Sequence, residues 1–197
     1  MGKVILAVDF GSKTSGFTAA ALFNSEGRIS LHQALKGSNA DVWLKELIKR
    51  HTPDIIAVDA PLSLPGVYAR TEGCTNYHYR QCDLEVSAMS PMFLGGLTAR
   101  AIEMKDWIHA TLRAEVIEIY PKLVAQDLGL DKRYKKDFAY LTEALDILSA
   151  ELSGSLDASQ VTNWHRFDAL LALRTASKYA AGAAKKIGLE TEGIIYF

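Results

Sequence analysis

The sequence predicts a mixed α/β domain in which a central sheet carries helices on both faces. Short apolar runs rich in β-branched residues alternate with longer segments of helical periodicity. The first three predicted strands follow one another through short polar turns, which is typical of an antiparallel meander. The later strands are separated by helices, and right-handed helical crossovers of this kind connect parallel strands.

The first half of the chain supplies four predicted strands and one helix. Residues 4–10 form a short apolar run with several β-branched side chains, which indicates a buried strand. Apolar residues then recur at helical spacing from Val42 to Ile48, and Pro53 closes that helix. The strands are predicted at residues 4–10, 17–23, 28–35 and 54–58, and the helix at residues 41–50.

The second half is predicted to be mainly helical. Asn163 is a favourable N-cap for a long helix, and Gly182 is suited to end it. Residues 115–120 form one more apolar run that predicts a fifth strand, and residues 193–197 predict a short C-terminal edge strand. Helices are predicted at residues 96–112, 121–128, 138–152 and 164–181.

The length of 197 residues predicts a single domain over residues 1–197, because domains average about 150 residues. A hydrophobic content of 49% and a charged content of 23% exclude a disordered or collagen-like chain. Residues 61–92 are polar, aromatic and hard to assign. A loop of that length inside a domain is usually functional or contains hidden structure, so we interpret it as an insertion.

The charge and the cysteines restrict the class of protein. A formal net charge of −1 indicates that any contact with nucleic acid must use a local basic patch. The only cysteines are Cys74 and Cys82, which is typical of a reducing compartment, and we expect free thiols without metal. The spacing of Cys74, His78 and Cys82 fits no standard zinc signature. With no signal peptide and no apolar run long enough to cross a membrane, we expect a cytoplasmic protein.

Four carboxylates stand in related positions of the predicted fold. Asp9 and Asp59 end predicted strands, and Glu118 lies within another. Parallel strands present their carboxyl ends at one edge of a sheet, which is where open α/β sheets bind ligands. Asp168 lies near the start of the last long helix, on a face that continues with small residues and suits close packing on a sheet. The sequence therefore predicts that the four acids converge.

Such a cluster would suit hard divalent cations. Mg²⁺ and Mn²⁺ take oxygen ligands, and two such ions can activate a water and stabilise the leaving oxygen of a phosphodiester. Structural roles are the competing interpretation: Asp9 and Asp59 could bond the backbone of their own turns, and Asp168 could favour the positive end of its helix. No such structural role is available to Glu118, because a residue inside a strand cannot cap a helix or a turn.

Five short motifs follow one another along the chain. They are AVDFG at residues 7–11, AVDAPLSLP at 57–65, RQCD at 80–83, EIYP at 118–121 and FDALLAL at 167–173. In this order they resemble the motifs of domain-of-unknown-function family 429, and residues 192–196 resemble its last strand. The resemblance spans nearly the whole chain. It implies a ribonuclease H-like fold, here a mixed five-stranded sheet flanked by helices, and a metal-dependent nuclease activity.

The resemblance also implies roles for particular residues. The acids of the family match Asp9, Asp59, Glu118 and Asp168, which implies that these four are catalytic metal ligands. Its Arg-x-x-Asp motif matches Arg80 and Asp83, which implies that Arg80 binds a substrate phosphate and that Asp83 positions it. A structural ion pair between Arg80 and Asp83 is the alternative interpretation. We therefore expect residues 66–92 to cover the carboxylate edge and to carry Arg80 toward it. Tyr120 stands where many relatives are expected to have histidine.

A second function hypothesis concerns the segment DFGSKTSG at residues 9–16, with Lys13 as its cation. This segment is similar to the first phosphate loop of actin-like ATPases and sugar kinases. It is similar too to the opening motif of a bacterial resolvase-like family. Glycine and hydroxyl residues can cradle phosphate, although the ending of a Walker loop is absent. A nucleotide-binding or phosphotransfer enzyme is thus the runner-up, and a non-catalytic regulator on the same fold is the third hypothesis.

Surface features give weaker indications. Lysine and arginine cluster at residues 132–136, and Arg100, Lys105 and Arg113 could extend this basic patch. A solvated charged surface is the simpler interpretation. Tyr77 and Tyr79 could stack on bases or could anchor the insertion to the core.

Overall fold

The sheet predicted from the sequence is present in the computed structural model, which describes residues 2–197. The strands are β1 (Ile5–Asp9), β2 (Ala19–Phe23), β3 (Arg28–Gln33), β4 (Ile55–Asp59), β5 (Glu115–Ile119), β6 (Ser155–Leu156), β7 (Lys186–Leu189) and β8 (Gly193–Tyr196). The helices are α1 (Ala40–His51), α2 (Gln81–Glu85), α3 (Pro91–Leu94), α4 (Gly96–Thr111), α5 (Pro121–Asp127), α6 (Tyr140–Ser149) and α7 (Trp164–Ala180). The fold is a mixed α/β sheet flanked by helices, with eight strands where a five-stranded sheet and one short edge strand were expected.

The eight strands lie in the order β6-β3-β2-β1-β4-β5-β8-β7. As predicted, β1, β2 and β3 form an antiparallel meander, while β1, β4 and β5 run parallel. The predicted C-terminal strand is present as β8, but it is not at the edge. It lies parallel to β5, and β7 pairs with its outer side in antiparallel orientation.

Two apolar cores lie on the two faces of the sheet, because side chains alternate along each strand. Ala7, Ala57 and Ile117 point toward the core formed with α5, α6 and α7. Val8 and Val58 point toward the core formed with α1 and α4. This alternation decides which acids can meet, since neighbouring residues of one strand reach opposite faces.

Helix α7 crosses the centre of the first core. Asn163 caps it as predicted, with its side chain accepting from the N–H of Arg166 at 3.0 Å. Every residue from Phe167 to Thr175 is buried, because α5 and α6 cover the side of α7 that faces away from the sheet. Asp168 is therefore enclosed within the protein rather than placed on an amphipathic surface helix.

The insertion at residues 61–92 contains structure that the sequence did not reveal. It holds α2, the first turn of α3 and a 3-10 helix at Gly66–Ala69. Glu192, between β7 and β8, accepts from the N–H of Gly66 at 2.7 Å and from that of Gln81 at 2.6 Å. The insertion is thereby tied to the C-terminal hairpin.

Gly188 of β7 shows why this packing needs a glycine. Its φ is +108°, and an added Cβ would lie 2.3 Å from the carbonyl oxygen of Gly193 and 2.8 Å from Cβ of Cys82. Only a residue without a side chain allows α2 to pack this closely on the hairpin. Within residues 2–197, no helix has the length and apolar character needed to cross a membrane.

Candidate functional site

Three aspartates meet at the carboxyl edge of the sheet, on the face covered by α7. Asp9 and Asp59 end β1 and β4, and they are direct partners in the parallel register of these strands. Both lie on the face of Ala7 and Ala57, which is the face against α7. Asp168 enters the cluster from α7 and is fully buried. The predicted convergence therefore holds for these three acids.

Asp168 is held by two neighbours from the turn that precedes α6. The hydroxyl of Tyr134 donates to Oδ1 of Asp168 at 2.5 Å. The ammonium of Lys135 contacts Oδ2 of the same carboxylate, although 47% of the Lys135 side chain is exposed. The stem of Lys135 thus lies at the surface while its charged end reaches a buried acid.

The three acids repel one another in a poorly solvated place. Burial, followed by the charges of Asp9 and Asp168, holds the pKa of Asp59 well above its ordinary value. Burial also raises the pKa of Asp168 to about 6, despite the opposing effect of Lys135. Burial and the adjacent Asp168 raise the pKa of Tyr134, which therefore stays a hydrogen-bond donor. The cluster is short of positive charge.

His165 is a site residue that sequence reasoning missed. It lies one turn before Asp168 on α7, and its Nδ1 is 2.7 Å from Oδ2 of Asp9. The ring stacks on Phe17 with 4.6 Å between centroids, and about a third of the histidine side chain is exposed. Its spacing of three residues from Asp168 was the available signal, because residues at i and i+3 share a helix face.

Glu118 lies near the other three acids but not on their face of the sheet. Glu118 pairs with Val58 in the register between β4 and β5, so its side chain leaves the opposite face of the sheet from Asp59. Glu118 lines the same cavity as Asp9 and Asp59. Its carboxylate is paired with Arg80, whose Nη2 and Nη1 donate to its two oxygens at 2.6 and 2.7 Å. The N–H of Leu62 donates to it as well, at 2.8 Å.

Arg80 points toward the carboxylate edge, as expected, but its guanidinium is fully engaged within the protein. Its side chain is about 1% exposed, and every guanidinium nitrogen already donates to Asp83, Glu118 or Ser63. Asp83 is equally buried and accepts from the backbone N–H and the guanidinium of Arg80. The geometry thus favours the structural ion pair over the substrate-binding roles expected of Arg80 and Asp83: together with Glu118 they fix the insertion to β5.

Lys13 lies on the exposed turn after β1, and its side chain forms no ion pair within the described residues. The turn around it is closed by internal bonds: the N–H of Ser15 donates to the carbonyl of Ser12, and that of Phe17 to the Ser15 hydroxyl. The carbonyl of Gly11 accepts from Arg100 at 3.1 Å. Several groups expected to cradle a phosphate are therefore used within the protein.

A cavity of about 250 Å³ opens between the carboxyl edge and the insertion. Asp9, Asp59 and Glu118 contribute polar walls, and Met89 of the insertion and Leu94 of α3 contribute apolar ones. A second cavity of about 270 Å³ reaches Asp59 from the side of α5, and Lys135 and Tyr120 line it. Asp59 is thus accessible from two directions.

The residues present fit a hard divalent cation in their chemistry. Asp9 and Asp59 supply carboxylate oxygens, which are the donors that Mg²⁺ and Mn²⁺ prefer. The raised pKa of Asp59 shows that the cluster would gain from added positive charge. Within the described residues no group of three such side chains is arranged to hold an ion, and Asp168 already has a partner on each oxygen.

The other residues to which the sequence suggested a function lie outside the acid cluster. Cys74 and Cys82 are both free thiols, the second of them buried with a pKa raised to about 12 by burial. Arg100 is paired with Asp41 through two hydrogen bonds, and Lys105 donates to the carbonyl of Leu62. Tyr77 is exposed and packs edge-on against Tyr68, whereas Tyr79 contacts Phe93.

The cluster predicts an unusual pH dependence, which Asp168→Asn should isolate. A carboxyl whose pKa rises from 3.8 to about 6 on folding binds its proton more tightly in the folded state. Its contribution to stability is complete below about pH 4 and is lost as the pH rises through about 6, by about 3 kcal/mol in all. The Tm of Asp168→Asn relative to wild type should therefore increase between pH 4 and pH 7.

Thermal unfolding of both proteins over that pH range, in the presence of EDTA, measures this difference. The comparison removes the contributions of other acids, such as Asp127 and Glu151, whose pKa values are lowered by salt bridges and which act in the opposite direction. A difference in Tm that stays constant or shrinks with rising pH would contradict the repulsion described above.

The comparisons with known proteins concern solved structures. No family model matches the chain, and no curated protein matches it. Thermus thermophilus RuvC is 19% identical with a TM-score of 0.48, over 92% of this chain and 98% of that chain. T. thermophilus RuvC in complex with a Holliday junction substrate is 16% identical with a TM-score of 0.47, over 93% and 99%. A Fowlpox virus resolvase in complex with Holliday junction DNA is 14% identical with a TM-score of 0.45, over 92% and 99%.

Proposed function

We propose that the chain is a metal-dependent phosphodiesterase that hydrolyses nucleic acid at the edge where Asp9, Asp59 and Asp168 meet. The observation that carries this proposal is the convergence of these aspartates from β1, β4 and α7. Holding like charges together costs stability, as the raised pKa values of Asp59 and Asp168 indicate. Perturbed groups of this kind, placed beside a cavity, are typical of functional sites.

The cofactor that fits the donors is Mg²⁺ or Mn²⁺, held by Asp9 and Asp59. When bound, such an ion would lower the pKa of a water and stabilise the charge that develops on a phosphodiester. His165 is oriented by its contact with Asp9, which leaves the second ring nitrogen free to accept or donate a proton. Tyr134 and Lys135 keep Asp168 fixed beside them.

The rim of the site suits a nucleic acid better than a small nucleotide. Phe17 is 52% exposed and stacks on His165, so it offers an aromatic surface next to Asp9. Exposed aromatic rings stack on bases without regard to sequence. Lys13 and Lys36 are exposed on two turns joined by the hydrogen bond from Gly37 to Thr14. These cations lie on adjacent turns of a chain whose net charge is −1.

The test combines metal binding with cleavage. Purified protein is melted with EDTA, with millimolar Mg²⁺ and with millimolar Mn²⁺, and is incubated with single-stranded, duplex, hybrid and four-way-junction nucleic acids. A junction is included because the resolvases to which the chain is similar were solved with one. We expect a higher Tm with metal and metal-dependent cleavage. Identical melting in all three buffers, together with no cleavage, would contradict the proposal.

A further melting experiment with ATP distinguishes the phosphotransfer hypothesis from the nuclease hypothesis. The loop around Lys13 uses several of its polar groups internally, so we expect no rise in Tm with ATP and Mg²⁺ beyond that with Mg²⁺ alone. A further rise with ATP, without nucleic-acid cleavage, would favour phosphotransfer instead.

A further inference from the structure

Lys135 brings an ammonium group to the acid cluster. Among the described residues it is the only lysine or arginine that forms an ion pair with Asp9, Asp59 or Asp168. Its ammonium contacts Oδ2 of Asp168, and the Lys135 side chain also lines the small cavity that reaches Asp59. The ammonium therefore lies at the acids, although half of the side chain is exposed.

The turn that carries Lys135 is anchored, so this placement is built into the fold. Tyr134 packs edge-on against Trp164, with 5.3 Å between ring centroids, and donates to Asp168. Arg133 pairs with Asp131 and Glu143 on the outer side of the turn. The backbone of Lys135 is in the left-handed region with φ of 61°, a conformation that needs support from its surroundings when the residue is not glycine.

The three aspartates differ in how many oxygens remain available. Oδ1 of Asp168 accepts from Tyr134, whereas Oδ2 is in ion-pair contact with Lys135 and accepts no hydrogen bond. Asp9 has one oxygen engaged, by His165, and Asp59 accepts no hydrogen bond from another described side chain. An added cation would compete with Lys135 at Asp168, whereas no lysine or arginine among the described residues forms an ion pair with Asp9 or Asp59.

We propose that Lys135 is a fixed second cation of the site, so that the chain binds one divalent ion where a two-metal site would bind two. This inference rests on the proposed function, because it assigns the metal stoichiometry of the same site. Two-metal sites place one cation on each side of the reacting phosphate. Here the divalent ion belongs to Asp9 and Asp59, and the ammonium of Lys135 neutralises Asp168.

Counting bound Mn²⁺ by equilibrium dialysis and metal analysis tests the proposal without an activity assay. Wild type should bind one Mn²⁺ per chain. Lys135→Gly, which removes the ammonium and suits the left-handed backbone, should bind two, because Asp168 becomes available. Lys135→Arg, which keeps a cation, and Lys136→Ala, which changes an exposed neighbour, should each bind one.

Two ions bound to wild type, or one ion bound to Lys135→Gly, would overturn the inference while leaving the proposed function intact. No Mn²⁺ bound to any variant would overturn the proposed function together with this stoichiometry.

A metal-free comparison tests the neutralisation of Asp168 separately. Asp168→Asn should raise the Tm more in the Lys135→Gly background than in wild type, because the carboxylate then lacks its counter-charge. Equal increases in the two backgrounds would show that Lys135 does not neutralise Asp168, whatever the metal does.

Discussion

Replacing Arg80 with methionine should lower the free energy of unfolding by about 3–5 kcal/mol, the cost of removing one partner from a buried ion pair. Arg80 is fully buried, and its guanidinium is hydrogen-bonded to Asp83 and Glu118 at 2.6–3.0 Å. The change leaves two carboxylates without their cation. Methionine keeps much of the hydrocarbon volume, so the effect reports the charge rather than a cavity.

Urea unfolding of Arg80→Met measures this effect, with Arg113→Met as the matched control. Arg113 is exposed and forms no ion pair among the described residues, so its replacement should change stability by less than about 0.5 kcal/mol. Adding Glu118→Gln to Arg80→Met should recover part of the loss, because one unpaired charge is removed. Normal stability of Arg80→Met with weakened substrate binding would restore the phosphate-binding role that the structure argues against.

Asp59→Asn should reduce metal-dependent cleavage by about 10²–10³-fold or more, in the range seen when one electrostatic group of an active site is lost. The same change should raise the Tm of the metal-free protein at neutral pH. The pKa of Asp59 is held well above its ordinary value by burial and by Asp9 and Asp168, so its ionised form destabilises the folded state. Activity and stability are thus expected to change in opposite directions.

Cleavage rates and melting curves of Asp59→Asn, with and without Mn²⁺, check both parts. Asp146→Asn is the matched control, because Asp146 is an exposed acid on α6 without an ion pair among the described residues. It should change neither quantity appreciably. A lower Tm for metal-free Asp59→Asn would show that Asp59 has a stabilising role, such as bonding its own turn, rather than a metal-binding one.

Local sequence signals predicted most of the central fold. The β-branched runs that become β1, β4 and β5 and the Asn163 cap of α7 depend on interactions within a few residues, so they can be recognised in one chain. The short strands β6 and β7 gave no such signal. β7 contains Gly188 and is stabilised by its pairing with β8 and by α2, which are contacts with other parts of the chain.

The position of the site at the carboxyl edge of the parallel strands was also predictable, because parallel strands end on the same side. Which of the acids belong to the site could not be predicted from the sequence. Asp59 and Glu118 both belong to neighbouring strands, but the register pairs Glu118 with Val58 and so sends its side chain to the other face. A shift of one residue exchanges the two faces, and register depends on tertiary packing.

Residue types and their order in the chain determined the sheet edge and the candidate acids. Tertiary packing alone decided that Asp9, Asp59 and Asp168 meet. It also decided that Arg80 pairs with Glu118, and that His165 and Lys135 contact the aspartates. The physical reason is distance along the chain. Asp9 and His165 are separated by 156 residues, and Lys135 reaches Asp168 from an exposed turn, so only the folded chain brings these charges into contact.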